Sequence, residues 1–552
     1  GISFSKADEI AGKIGIEQES EFRVQSGIKY ALSVFAGNGS THVPKDVLIE
    51  SSIRLLDVSG ELIEENLVAL AFSGQIETDS LDGVPVVYQH FFYRAEQSVT
   101  FHIKRIMNGF MPPTAANVDN LINAAEAGER IRLSGDQRKA IRAALTNKIT
   151  IITGGPGTGK TTIINLIVKI FKQMGISVAL AAPTGRAAKR ITETAGVEAM
   201  TIHRLLEYVY SEDDNQMEFG RNEDNPLEED AFIVDEASMI DLMLMDGFLQ
   251  ALDNDSRLII VGDADQLPSV GAGNILHDMI NSEYVPTIRL EEIFRQAGES
   301  HIVVNAHSIN NGEYPEFNGK DSDFFFMHRS GEADIRDTIE ELVTGRLASY
   351  YDFVKDSSDV QVLTPTRKGG LGTASLNELL QSVINPAMPA RNERKFGSKT
   401  LREGDKVMQI RNNYRMEWRQ LGRQSGRGIF NGDMGVIDTI DTDNAKVIVD
   451  FDGKFVTYDN EELDELELAY AVTVHKSQGC EFPAVIIPIS GFPPMLATRN
   501  LLYTAITRGK KLVILVGSEE RMQRMIDNNR IDERYTGLED RLREIDLGRG
   551  LT

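Results

Sequence analysis

The residues best suited to chemistry lie in "GGPGTGKTT", Gly154 to Thr162. Gly155, Gly157, Thr158 and Gly159 form a loop whose backbone N–H groups can wrap phosphate. Lys160 can reach the terminal phosphates, and Thr161, followed by Thr162, offers a hydroxyl to Mg²⁺. A second constellation, "FIVDEAS", ends an apolar run in Asp235 and Glu236. One carboxylate suits a magnesium shell and the other can orient and deprotonate a water. A third, "IIVGDADQLPSVG", ends in Asp263, Asp265 and Gln266; a glutamine at the carboxyl edge of a sheet can bond a γ-phosphate or the attacking water and so report on phosphate. Arg295 in "LEEIFRQ" and Arg508 in "YTAITRG" could stabilise charge on a transferred phosphoryl group when a cleft closes. Taken singly, each arginine reads as a surface salt bridge.

These groups need parallel strands to hold them. From Ile149 onward, short apolar runs ("TIITG", "SVALAAP", "AFIVDEA", "RLIIVGD", "VQVLTP", "AVIIPI", "LVILVG") alternate with helical segments. That is the α/β pattern of parallel sheets covered on both faces, and the long middle section splits the runs into two sheets. "VTVHKSQGCEF", Val472 to Phe482, starts as a strand and breaks into a polar run that matches no metal-ligand or nucleophile-base spacing. Nucleic acid or phosphate is the ligand that suits it. Between Lys395 and Leu466 the pattern turns alternating and turn-rich, as in a small all-β insert. Upstream, Val43 to Leu56 and Leu62 to Phe72 have helical period, and two strands flank an Asp82-Gly83 turn. Helix, helix, hairpin is the winged-helix order; a generic helical bundle is the alternative.

Composition narrows the functional class. A chain of 552 residues implies about two to four domains. It has no apolar run of membrane-spanning length and no cleavable leader, so a cytoplasmic protein is expected. It begins at Gly1 without a methionine, which suggests a truncated or processed piece. The single cysteine, Cys480, rules out an intrachain disulfide framework or a thiolate-rich metal site. A net charge of −25 argues against non-specific coating of nucleic acid, though not against a local basic channel.

In order and spacing, the P-loop, "VDEA", "GDADQLPSVG", "FRQ", "VTVHKSQGCEF" and "LLYTAITRGK" resemble the motifs of a superfamily 1 helicase. More narrowly, the chain resembles the RecD-like 5′-to-3′ DNA helicases, the branch that works outside the RecBCD complex. "GISFSKADEIA" is similar to the last helix-hairpin-helix element of that family and "NNRIDERYTGLEDRL" to its C-terminal end. The resemblance implies a helical and winged-helix-like region over 1–128 and a first RecA-like motor domain over 129–285, with a pin inserted at 207–230. A second motor domain would span 286–552, with an SH3-like insert near 395–466.

It also implies roles. Gln137 would read adenine, Lys160 and Thr161 would hold phosphate and Mg²⁺, and Asp235 and Glu236 would be metal partner and catalytic base. Gln266 would couple the γ-phosphate to movement, with Arg295 and Arg508 as arginine fingers. Single-stranded DNA would be gripped by Pro183, Thr184, Gly185 and Arg186, by Thr201 and His203, and by Thr364, Thr366 and Arg367. Thr473, His475, Lys476, Ser477 and Gln478 would complete the grip. Helix capping is the competing reading for Thr184 and Thr201.

The sequence departs from the family in two places: the segment matching the pin is acidic, and an upstream OB-like region with most of the helix-hairpin-helix array is missing. The expected function is ATP-dependent DNA unwinding in repair or recombination by a monomer acting at duplex junctions. An RNA helicase of the same superfamily and an ATP-gated clamp without unwinding are the alternatives.

Overall fold

The computed structural model describes residues 4–111, 117–211, 216–293, 300–317, 322–397, 399–420, 422, 425–529 and 534–547. Two parallel sheets carry it. The first orders its strands Thr287–Leu290, Ile149–Gly154, Arg257–Gly262, Ala231–Val234, Val178–Ala182 and Ala199–Thr201. The second runs Phe324–His328, Gly509–Gly517, Phe482–Ile489, Val360–Thr364 and Ala471–Thr473.

Both sheets are buried on two faces, so their central strands are apolar at most positions, and the polar residues buried there, such as Thr150 and Gln361, are hydrogen-bonded to backbone carbonyls. Ile149 and Ile151 pack into one core while Ile152 packs into the core on the opposite face. Each such isoleucine contributes about 2 kcal/mol of burial. Of the strands not read from the sequence, Thr287–Leu290, Ala199–Thr201 and Phe324–His328, all lie at sheet edges, where one face is less covered and the apolar run shortens.

The N-terminal region runs Glu21–Gly37 (helix), His42–Pro44 (strand), Lys45–Leu56 and Gly60–Phe72 (helices), then strands Ile76–Leu81 and Val84–Gln89. The three strands pair in the order first, third, second, which is winged-helix topology. Asp82 and Gly83 turn the hairpin with φ of 46° and 79°, as a two-residue turn matching strand twist requires. The all-β insert is a seven-stranded antiparallel sheet between Lys406 and Leu468, preceded by the hairpin Glu393–Phe396 and Lys399–Arg402.

The last helix among the described residues, Leu538–Leu547, packs Leu538 and Leu542 into a core of the first parallel sheet beside Tyr88 and Phe92 of the N-terminal region. Buried Glu96 organises this junction. Its carboxylate accepts hydrogen bonds from Tyr88 (2.8 Å) and from the backbone N–H of Gly537 (2.9 Å), and Arg541 ion-pairs with it and with Asp79 (2.7 Å). Arg534 donates to the carbonyls of Ser269 (2.6 Å) and Gly273 (2.8 Å), in the loop that follows Gln266.

Candidate nucleotide and strand-binding site

The strand Ile149–Gly154 delivers the phosphate loop to the N-terminus of the helix Lys160–Gln173. Gly157 and Gly159 adopt φ of 76° and 83°, conformations a side chain would strain, and this turns N–H groups inward. Lys160 Nζ donates to the carbonyls of Gly154 (2.5 Å) and Gly155 (2.9 Å), inside the loop's own curve. The loop is held from below: Thr158 Oγ1 donates to the Gly155 carbonyl at 2.9 Å, and Gln137 Nε2 donates to the Thr158 carbonyl at 3.0 Å. Gln137 also completes a capping box with Ser134. It is 1 % exposed, so in this conformation it braces the phosphate loop. Thr161 and Thr162 occupy the first turn, half-buried.

Asp235 and Glu236 follow the strand Ala231–Val234, both buried. Glu236 takes left-handed backbone angles (φ 54°), uncommon for a residue with a side chain and concentrated at functional sites. Burial, and then the charge of Glu236, pushes the Asp235 pKa up to about 6. A divalent cation would relieve that unfavourable burial of charge. The oxygen donors of Asp235 and Thr161 suit Mg²⁺, which binds through one or two protein oxygens plus phosphate; among the described residues no cluster of three or more His, Cys, Asp or Glu offers a denser cage.

Gln266 Nε2 donates to Asp263 Oδ2 at 3.0 Å, and Tyr503 of the second sheet's layer donates to the same oxygen at 2.8 Å. The second half touches the phosphate loop directly. His307 lies 3.1 Å from the Pro156 carbonyl, and a Cβ on Gly155 would fall 2.8 Å from its ring. Leu267, next to Gln266, is fastened twice across the cleft: its N–H donates to Thr504 Oγ1 (3.0 Å), and its carbonyl accepts from Gln478 Nε2 (2.7 Å).

Arg508 is 3 % exposed and is held by the carbonyls of Thr504 and Cys480 (3.2 and 3.3 Å) and by Thr507 Oγ1 (3.1 Å). Arg295 lies outside the described residues. Tyr503 and His307 were not singled out from sequence. Tyr503 stands inside "LLYTAITRGK", but a tyrosine there reads equally as core, and His307 carries no local signal.

The expected strand-gripping residues divide into two groups, with Thr201 in both. In the first, the side chain is engaged internally. Thr184 and Thr201 cap helices through the N–H groups of Ala187 (3.3 Å) and Arg204 (3.1 Å), and Thr364, fully buried, donates to the Leu371 carbonyl (2.7 Å). Ser477, also buried, donates to the Val474 carbonyl (2.7 Å), and Thr473 Oγ1 accepts from the Lys476 N–H (3.3 Å). His203 stacks edge-on against Tyr208 at 5.4 Å.

In the second group, Arg367 and Lys476 converge on one carboxylate, Glu467, with Lys476 at 2.8 Å. Thr366 and His475 are half-buried close by in sequence. Gly185, Arg186 and Thr201 line a cavity of about 390 Å³ between the first motor half and the β insert, with Phe430 and Lys454 on the insert side; Pro183 precedes them at the strand end. The segment matching a pin forms the hairpin Tyr208–Ser211 and Gln216–Phe219; its acidic tip, 212–215, lies outside the described residues. The hairpin base is tied to the insert through Tyr208, whose ring meets that of Tyr414 at 5.2 Å.

Two parallel-sheet halves, a phosphate loop facing the cleft between them and paired carboxylates beside it define a P-loop helicase motor. Family models match in the same order: "ATP-dependent RecD2 DNA helicase HHH domain" at residues 1–42 and "AAA domain" at 137–272, followed by "ATP-dependent RecD-like DNA helicase SH3 domain" at 376–451 and "UvrD-like helicase C-terminal domain" at 468–516. The chain is 32 % identical to the ATP-dependent RecD2 DNA helicase of Deinococcus radiodurans, over 98 % of this chain and 72 % of that protein. It belongs to the RecD2 family of ATP-dependent DNA helicases. It is also 30 % identical to the RecBCD enzyme subunit RecD of Mycolicibacterium smegmatis, over 74 % of this chain and 75 % of that one. Among solved structures, a Pif1 helicase studied on forked double-stranded DNA aligns over 70 % of this chain and 92 % of that chain, at 18 % identity and a TM-score of 0.41.

Proposed function

We propose that this helicase uses ATP and Mg²⁺ to move 5′ to 3′ along single-stranded DNA and to separate the duplex ahead of it, as a monomer, in cytoplasmic DNA repair or recombination. The observation that carries this reading is the double attachment of Leu267. Its neighbour Gln266 shares the Asp263 carboxylate with Tyr503, whose hydroxyl lies against Gly155 of the phosphate loop, while its own backbone is bonded to Gln478 of the strand-side motif and to Thr504, whose carbonyl holds Arg508. A shift of Gln266 when γ-phosphate arrives or leaves is thereby passed to both elements.

In the proposed cycle, Lys160 and the loop N–H groups bind the phosphates, and Glu236 orients and deprotonates the attacking water. Arg295 and Arg508 stabilise the charge that spreads over the transferred group when the cleft closes. Mg²⁺, held by Thr161 and Asp235, would neutralise phosphate charge. The two halves grip the strand through its backbone, and alternation of those grips gives movement in one direction.

A forked duplex with a single-stranded tail on only its 5′ or only its 3′ end tests the proposal. Separation confined to the 5′-tailed substrate is expected; separation confined to the 3′-tailed one would overturn the direction. Stimulation of ATP hydrolysis by RNA but not by DNA of matched length would overturn the substrate.

A further inference from the structure

Arg190, on the helix Gly185–Ala195, stands between two carboxylates from different halves of the motor. Its Nη1 lies 2.6 Å from Glu481 Oε1 and 3.4 Å from Glu236 Oε1. Glu481 is three residues beyond Gln478 and immediately precedes the strand Phe482–Ile489; its other oxygen pairs with Lys510 at 3.1 Å. The N–H of Phe482 donates to the Arg508 carbonyl at 2.8 Å, so Glu481 is continuous with the strand-side motif and its neighbour is bonded to the buried arginine.

Arg190 is two-thirds buried and Glu236 nine-tenths buried, so the charges are only partly screened. Burial alone would lower the pKa of Arg190, but Glu481, Glu236 and Asp235 outweigh it and raise it. The guanidinium is therefore a permanent cation, and only its position can vary.

We propose that Arg190 is a positioning residue that gates Glu236 according to the state of the strand-binding half. Drawn to Glu481 at the shorter distance, Arg190 holds Glu236 only through a long 3.4 Å contact, which leaves that carboxylate the better able to accept a proton from water. When the strand-side motif and Glu481 move away, Arg190 pairs fully with Glu236, and a carboxylate bound to a guanidinium is a poor base. Hydrolysis is thereby tied to strand engagement through one side chain. The inference rests on the reading of Glu236 as the base.

Opposite effects from the two partners of one ion pair distinguish this gate from a structural bridge. Glu481→Gln releases Arg190 onto Glu236, so the DNA-stimulated kcat should fall about tenfold with KM for ATP nearly unchanged. Arg190→Gln frees Glu236, so hydrolysis without DNA should rise about threefold and the stimulation by DNA shrink. The double variant should behave as Arg190→Gln alone. A fall in both single variants, in step with a lowered unfolding temperature, would overturn the gate, as would wild-type kinetics in both. Should Arg190→Gln fail to fold, Arg190→Lys retains the cation, and the kcat-against-KM split of Glu481→Gln still decides. Glu236→Gln, assayed in parallel, tests the base separately: persisting turnover there would sink that assignment whatever the other variants do.

Discussion

Tyr503 and Gln266, from opposite halves of the motor, bond the same oxygen of Asp263, at 2.8 and 3.0 Å. Burial, and then the Asp263 charge, keeps the phenol pKa well above its ordinary value, so Tyr503 remains a donor through the whole working range of pH. The residue expected to sense γ-phosphate thus shares its acceptor with a hydroxyl from the other half.

Tyr503→Phe removes that hydroxyl and little else. We expect a stability loss of about 1 kcal/mol and a drop of about fivefold in DNA-stimulated hydrolysis, with ATP binding near wild type. Thermal unfolding and steady-state kinetics on the same preparation measure both.

Glu467 pairs with both Lys476 and Arg367 and offsets one of their two charges. Burial opposes its ionisation, but the Lys476 and Arg367 charges prevail and hold it below the ordinary carboxylate range. Glu467→Gln should release both cations to phosphate and tighten binding to single-stranded oligonucleotides about threefold to tenfold at low salt. The plot of log affinity against log salt should steepen by about one unit. Unchanged affinity in a fluorescence-anisotropy titration would place these cations off the strand path.

Arg508→Ala should lower kcat for DNA-stimulated hydrolysis about a hundredfold with a modest change in nucleotide affinity. Because Arg508 also holds the carbonyls of Thr504 and Cys480, Arg508→Lys is the companion variant. A lysine that restores stability without restoring turnover separates charge placement from packing; wild-type turnover in the alanine variant would return Arg508 to a structural role.

His42 lies at the tail junction, 5.0 Å from Tyr88 between ring centres, and burial followed by the Arg541 charge lowers its pKa from 6.5 to about 4. Between those values the unfolded chain binds a proton that the folded chain does not, so stability falls as pH drops from about 6.5 toward 4. The contribution is at most about 3 kcal/mol. The difference in unfolding temperature between pH 7 and pH 5 should therefore shrink in His42→Gln; an undiminished difference would assign the acid sensitivity to other groups.

The phosphate loop and the Asp235-Glu236 pair could be read from sequence because their chemistry depends on backbone geometry, which glycine spacing and strand ends reveal locally. Central strands were readable for the same local reason, since two buried faces demand a largely apolar run. The edge strand Thr287–Leu290 carries a charged Arg289 and so lacks that mark. Side-chain direction was not readable: Thr184 and Thr364 sit in hydroxyl-rich stretches that suit phosphate, yet they spend those hydroxyls on a cap and on a carbonyl. Arg190 escaped notice because both of its partners are distant in sequence, Glu236 by 46 positions and Glu481 by 291. Those separations leave no periodic trace.

The hydrogen bond from Thr41 to the carbonyl of Tyr535 joins residues 494 positions apart, and Leu538 and Leu542 fill the core of the first motor half. During synthesis that half therefore emerges with part of its apolar core open to water, and it stays so for tens of seconds while the rest of the chain is made. Its last wall arrives from the C-terminal region. A truncation before Leu538 should consequently do its damage at the opposite end of the sequence, as aggregation of the nascent winged region and first motor half rather than as loss of the second.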